Sequence, residues 1–211
     1  MADTVLLVSV GSTRFDALIN TVLHPAFLSA LDGYKLDLQI QYGASALTHS
    51  SNLDLIPGAE DGEYTATTRP HNINIHLFPY TPTLSTLIHS ADIVISHAGS
   101  GTILEVLRST PTPPALIVVP NHTLMDDHQS ELARALGNQG YLLVGRVADQ
   151  DHLIEEHARV LGQQVHQLLA AHRSAATTGK AEERKIRIQP FPSWDPQPFA
   201  QLVDERLGFD A

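Results

Sequence analysis

Cysteine is absent from the 211 residues. That removes disulfides, thiolate metal sites and thiol nucleophiles, and it fits a reducing compartment. Positive charge is scarce: 13 Lys and Arg stand against 23 Asp and Glu, a formal net charge of −10. Nucleic-acid affinity rests on basic patches, so the balance argues against that partner. It argues equally against electrostatic attachment to anionic lipid. No apolar run approaches the roughly 20 residues of a membrane span. Thr4 to Val10 is apolar but short, with no basic stretch before it, and reads as a first strand, not a signal peptide. Twelve histidines are scattered and form no tract. His122, Asp126 and His128 come nearest to a metal set, but their spacing fits no standard site, and no metal is expected.

What is present is an alternation of apolar strands and amphipathic helices. A chain of this length buries a full core without staples. Val5 to Val10, Leu36 to Ile40, Ile73 to Phe78, Ile93 to Ile95, Ala115 to Val119 and Tyr141 to Val144 read as strands. Helices are predicted after Thr13 (Phe15, Leu18, Ile19, Val22 and Leu23 on one face), over Thr83 to His89, from Thr102, over about Asp126 to Leu136 and over His152 to His172. Gly137 and Gly140 are expected to stop the fourth of these. This pattern predicts an α/β fold, a parallel sheet with helices on both faces. Residues 1–174 form the expected domain, with 49–72 as a loop insertion because Pro, Gly, Ser and Thr recur there without period. From 175 a linker is expected, then a proline-rich stretch and a tail helix over Phe199 to Leu207.

The most informative stretch is Ser96-His97-Ala98-Gly99-Ser100-Gly101-Thr102, between a strand and a helix start, with Glu105 three residues on. Such a loop aims free N–H groups and the positive end of a helix dipole at one point, where a phosphate is well held. Glu105 has two readings: a capping-box carboxylate, or an acceptor for a ribose diol. His97 either meets a phosphate or bonds a carbonyl within the loop. Gly11-Ser12-Thr13 leaves the first strand in the same manner, as a ligand loop or an ordinary capped turn. A third polar loop, from Pro120 to Gln129, carries Asp127, His128 and Gln129. Asn121-His122-Thr123 matches a glycosylation sequon that a cytosolic loop never presents to that machinery.

With these residues in view, the chain resembles the C-terminal, donor-binding domain of family 28 glycosyltransferases. Within them it is similar to the small catalytic subunits of eukaryotic two-subunit UDP-GlcNAc transferases. The motifs that carry the likeness are Val8 to Thr13, Ile95 to Glu105, Leu124 to Gln129 and the tail Pro190-Phe191-Pro192. The likeness implies a Rossmann-like half of a GT-B enzyme. It implies transfer of N-acetylglucosamine from UDP-GlcNAc to dolichol-diphosphate-linked GlcNAc, with no cofactor. It implies that the backbone of Ser96, Gly99, Ser100, Gly101 and Thr102 takes the diphosphate and Glu105 the uridine ribose. His128 and Gln129 would meet the donor sugar, Asp127 is a further substrate-binding candidate, and Gly11, Ser12 and Thr13 line the cleft. It further implies a membrane-anchored, acceptor-side partner that recruits this chain to the cytosolic face of the endoplasmic reticulum, with the tail in the pairing. His97 and His128 are the candidate acid–base groups, alongside a residue of the partner. Two departures stand out: Ser130 where relatives carry a second Gln, and the 49–72 and Pro111 to Pro114 segments. Two other classes fit the residues: another UDP-sugar enzyme on this architecture, such as an epimerase or hydrolase, and a non-catalytic nucleotide-binding subunit.

Overall fold

A computed structural model describes residues 4–47, 53–68, 71, 73–122, 128–148, 150–178 and 189–192, with backbone alone at 128, 151 and 174–178. In chain order the elements are β1 (Thr4–Ser9), α1 (Asp16–Leu23), α2 (Pro25–Ala30), β2 (Leu36–Gln41), β3 (Ile56–Pro57), β4 (Tyr64–Thr68), β5 (Ile73–Phe78), α3 (Leu84–Ser90), β6 (Ile93–His97), α4 (Ser100–Leu107), β7 (Ala115–Val119), α5 (His128–Asn138), β8 (Leu143–Val144) and α6 (Asp151–Thr178). The strands form one sheet in the order β3-β4-β5-β2-β1-β6-β7-β8. The six from β5 to β8 run parallel; β4 and β3 are antiparallel additions at one edge.

Strand side chains alternate between two cores, as the pleat requires. Leu6, Val8, Leu38, Ile40, Ile75, Ile95 and Ile117 face α1, α2 and α6. Leu7, Val94, Leu116 and Val118 face Ile88, Ile103, Val106 and Ala133 from α3, α4 and α5. The expected parallel sheet, with helices on both faces of its central strands, is the observed architecture. Beyond β1 the second face carries Asp37, Gln39, Asn74 and His76 of β2 and β5, all only partly covered. Sheet growth turns from leftward to rightward at the β1–β6 pair, aligned as Val8↔Ile95 and Ser9↔Ser96. A crevice opens at the carboxyl ends of two strands where this happens.

Several local expectations are corrected. The stretch 49–72 is not simply a loop: within its described part β3 pairs with β4, and β4 pairs with β5. Tyr64 to Thr68 has β-branched alternation, but five residues flanked by Gly and Pro carry little periodic signal. A second short helix, α2, follows α1 directly; His24 starts it, its Nδ1 accepting from the Ala26 N–H at 3.1 Å, and Pro25 is its first residue. Gly137 does not stop α5 but lies inside it, where a Cβ would press within 2.9 Å of Val144 Cγ2; the positive φ of 78° falls at Gly140. Finally, α6 continues to Thr178, through the first residues read as linker. The tail helix expected over Phe199 to Leu207 lies outside the described residues.

Candidate functional site

The crevice is built from three loops at the carboxyl ends of β1, β6 and β7. In the first, Gly11 adopts a φ of 63° that only glycine takes without strain. Its N–H donates to Ser9 Oγ at 3.3 Å, and that hydroxyl donates to Gln41 Oε1 at 2.6 Å. Ser12 stands exposed; Thr13 is half-buried, its hydroxyl donated to the Val10 carbonyl at 2.7 Å. Residues 43–46 brace this loop from behind. Ala44 N–H bonds the Thr13 carbonyl, Phe15 N–H bonds Ser45 Oγ at 2.8 Å, and Ala46 N–H bonds Asp16 Oδ1 at 2.9 Å. The hydrogen bond from Arg14 is the main reason Asp16 titrates below the ordinary carboxylate range.

The second loop leaves β6. Ser96 is fully buried and donates its hydroxyl to the His97 carbonyl at 2.8 Å, so it supports the loop from beneath. His97 is 8% exposed and wedged between the two glycine loops. Its Cε1 lies where a Cβ on Gly11 would come within 3.1 Å, and its Nε2 lies where a Cβ on Gly99 would overlap it. Nδ1 faces the Ser9 carbonyl at 3.5 Å. Burial pushes the imidazole below its usual value, only partly offset by that carbonyl. His97 therefore fills the space between the two loops, and its burial favours the neutral ring. The carbonyl it approaches belongs to Ser9 on the neighbouring strand, not to its own loop.

Gly99 turns the chain into α4, its N–H returned to the His97 carbonyl at 2.8 Å. Gly99, not Thr102, is the N-cap residue, and no side chain caps the helix. The N–H groups of Ser100, Gly101 and Thr102, the first three helical residues, thus have no intrahelical acceptor. Ser100 and Gly101 are exposed, and a Cβ on Gly101 would meet nothing within 4 Å. Glu105 lies in the second turn, half-buried. Its capping-box reading is corrected, because helix geometry puts it one turn past the cap.

The third loop follows β7. Asn121 is 2% exposed, which removes the sequon reading. Its side-chain amide donates to the Arg14 carbonyl at 3.1 Å, and its backbone N–H donates to Gln129 Oε1 at 3.2 Å. Gln129, in the first turn of α5, is so tied to the loop after β1. Asp127 and the side chain of His128 lie outside the described residues. The structure therefore brings Gly11 to Thr13, Gly99 to Thr102 and Gln129 to the carboxyl ends of neighbouring strands, while Glu105 stands further along α4. Among the described residues no cluster of three His, Asp or Glu could hold a metal ion.

Sequence reasoning missed Gly43 and Asn121 as parts of this rim. Gly43 has a φ of 57°, and a Cβ there would fall 2.5 Å from the Thr13 carbonyl oxygen and 2.6 Å from that of Gly11. The available signal was its place just past β2, matching that of Gly11 just past β1.

The profile of the glycosyltransferase family 28 C-terminal domain matches residues 5–188. The chain is 34% identical over 218 residues to the UDP-N-acetylglucosamine transferase subunit ALG13 of Cryptococcus neoformans, covering 97% of each. It is 35% identical to the human subunit of that name over 65% of this chain, a stretch that is 10% of the human protein. In fold it is similar to the NMR solution structure of ALG13, with a TM-score of 0.54, 24% identity and 95% of each chain covered. It is also similar to Acinetobacter baumannii MurG, with a TM-score of 0.56, 18% identity, and 97% of this chain against 52% of MurG. On this profile match and this end-to-end identity, the chain belongs to the glycosyltransferase family 28 C-terminal domain family.

Proposed function

We propose that the chain is the donor-binding, catalytic subunit of a heteromeric transferase. It moves N-acetylglucosamine from UDP-GlcNAc to dolichol-diphosphate-linked GlcNAc, in company with a membrane-anchored acceptor-side subunit at the cytosolic face of the endoplasmic reticulum. The observation that carries the donor reading is the uncapped start of α4. Three outward N–H groups, at the positive end of a helix and beside a second glycine loop, await an anion. The relatives named as UDP-N-acetylglucosamine transferase subunits support the sugar nucleotide and the need for a partner. Among the described residues no helix is long and apolar enough to cross a membrane, so the proposed anchor is the partner's.

In this reading the diphosphate sits on Ser100, Gly101 and Thr102, the ribose diol on Glu105, and the sugar near Gln129, Asp127 and His128. Ser12 and Thr13 line the cleft opposite α4. As the glycosidic bond breaks, negative charge grows on the departing UDP. Fixed N–H dipoles stabilise that charge without a reorganisation cost, and without a metal ion. His97 is buried between the two glycine loops, and the acceptor's proton is taken by His97, by His128 or by a residue of the partner.

Titrating UDP into the purified chain tests the site. Glu105→Gln is expected to weaken binding by about 1–3 kcal/mol, through loss of charge-assisted bonds. Transfer is then measured with the pair reconstituted from its own membranes. The chain alone should show no turnover. Unchanged transfer by a Glu105→Ala pair would remove the donor role.

A further inference from the structure

Helix α5 carries Gln129 in its first turn, yet it is thinly anchored. Of the residues whose side chains are described in it, only Ser130 and Ala133 are buried. Its other end is gripped by a segment far along the chain. The Gln189 N–H donates to the Gly140 carbonyl at 2.8 Å, immediately past the point where Gly140 and Tyr141 N–H groups close the helix on Gly137 and Leu136. The chain at Gly140, with φ of 78°, leaves room for this, for a Cβ there would lie 3.4 Å from Gln189 Cγ. Two residues on, the Phe191 ring meets Tyr141 edge to face, with centroids 5.1 Å apart and planes at 77°. Phe191 is half-buried between exposed neighbours and packs on the same core margin as Leu132, Leu136 and Val144.

We infer that Gln189 and Phe191 form a clamp that positions α5, and through it Gln129, at the donor-sugar end of the site. The 11 residues of α5 make a rod about 16 Å long. Its far end is pinned by the Gln129–Asn121–Arg14 bonds and its near end by the clamp. A rod held at two ends keeps its orientation; released at one, it frays and tilts. Among the described residues no hydrogen bond or ring contact joins this clamp to the first turn of α4; Phe191 shares only the wider core margin with the later residues Ile103, Val106 and Leu107. Loosening the clamp therefore discriminates between the two halves of the donor. The sugar half of this inference rests on the donor reading of Gln129 above; the mechanical half does not.

The test uses the full chain with Phe191→Ala, and with Gln189→Pro, which removes the donated N–H. Hydrogen exchange of the α5 amides should quicken at least about tenfold in both. UDP affinity should stay within about twofold, while UDP-GlcNAc affinity falls about five- to tenfold, and Phe191→Tyr should restore it. A general loss of stability would instead lower both affinities together, and that result, or unaltered α5 exchange in both variants, overturns the clamp. If the wild-type chain binds neither nucleotide, the donor reading fails, and the exchange data alone decide whether the clamp exists.

Discussion

Gly99 and Gly101 are two residues apart and serve different ends. A Cβ on Gly99 would run into the His97 ring, whereas one on Gly101 would meet nothing. Gly99→Ala should therefore shift the loop and cost about 1–3 kcal/mol, the usual range for overpacking. Gly101→Ala should leave stability unchanged or raise it by up to about 1 kcal/mol, since alanine is the better helix former. Denaturant midpoints for the two variants check this contrast. His97 adds a pH dependence of known sign. Its folded-state value is depressed by burial, so as pH falls through about 6.5 the unfolded chain takes up a proton first. The stability from keeping this imidazole neutral is complete above that value. It drains away between there and the lower folded-state value. A His97→Asn variant should show a shallower loss of stability than the native chain between pH 7.5 and 5.

Among the elements, α6 shows how closely this fold packs. Its Gly162 lies against α2, where a Cβ would come within 2.7 Å of Ala30 Cβ and 3.1 Å of the Phe27 carbonyl oxygen. Gly162→Val should force the helices apart and cost about 1–3 kcal/mol, visible as a lower thermal midpoint with the proposed UDP site unaltered. The central strands and most helices were legible beforehand because periodicity reports burial. Leu6 and Leu7 are both buried, on opposite faces, and so read as an unbroken apolar run. The hairpin of β3 and β4 was not legible, because an edge strand half open to solvent has no apolar run to display. The start of α4 was mistaken by two residues. Thr102 looks like a cap in sequence, but the turn is closed by a backbone bond from Gly99 to His97 that no side-chain pattern records. Of the site, the two glycine loops were legible as motifs. The bracing of one loop by Gly43 and Ser45, and the wedge of His97 between them, arise only when β1, β2 and β6 are set side by side.

At the scale of the whole molecule, the two outermost strands, β3 and β8, hold two residues each, and Pro57 occupies one of them. A strand that short offers almost no template of unpaired backbone groups, and proline withdraws a donor from what remains. Among the described residues the outermost strands accordingly offer little for a strand of another chain to pair with. A protein built this way should stay dispersed under conditions that drive open-edged sheets into fibres, because its outermost strands end before a second chain can align along them.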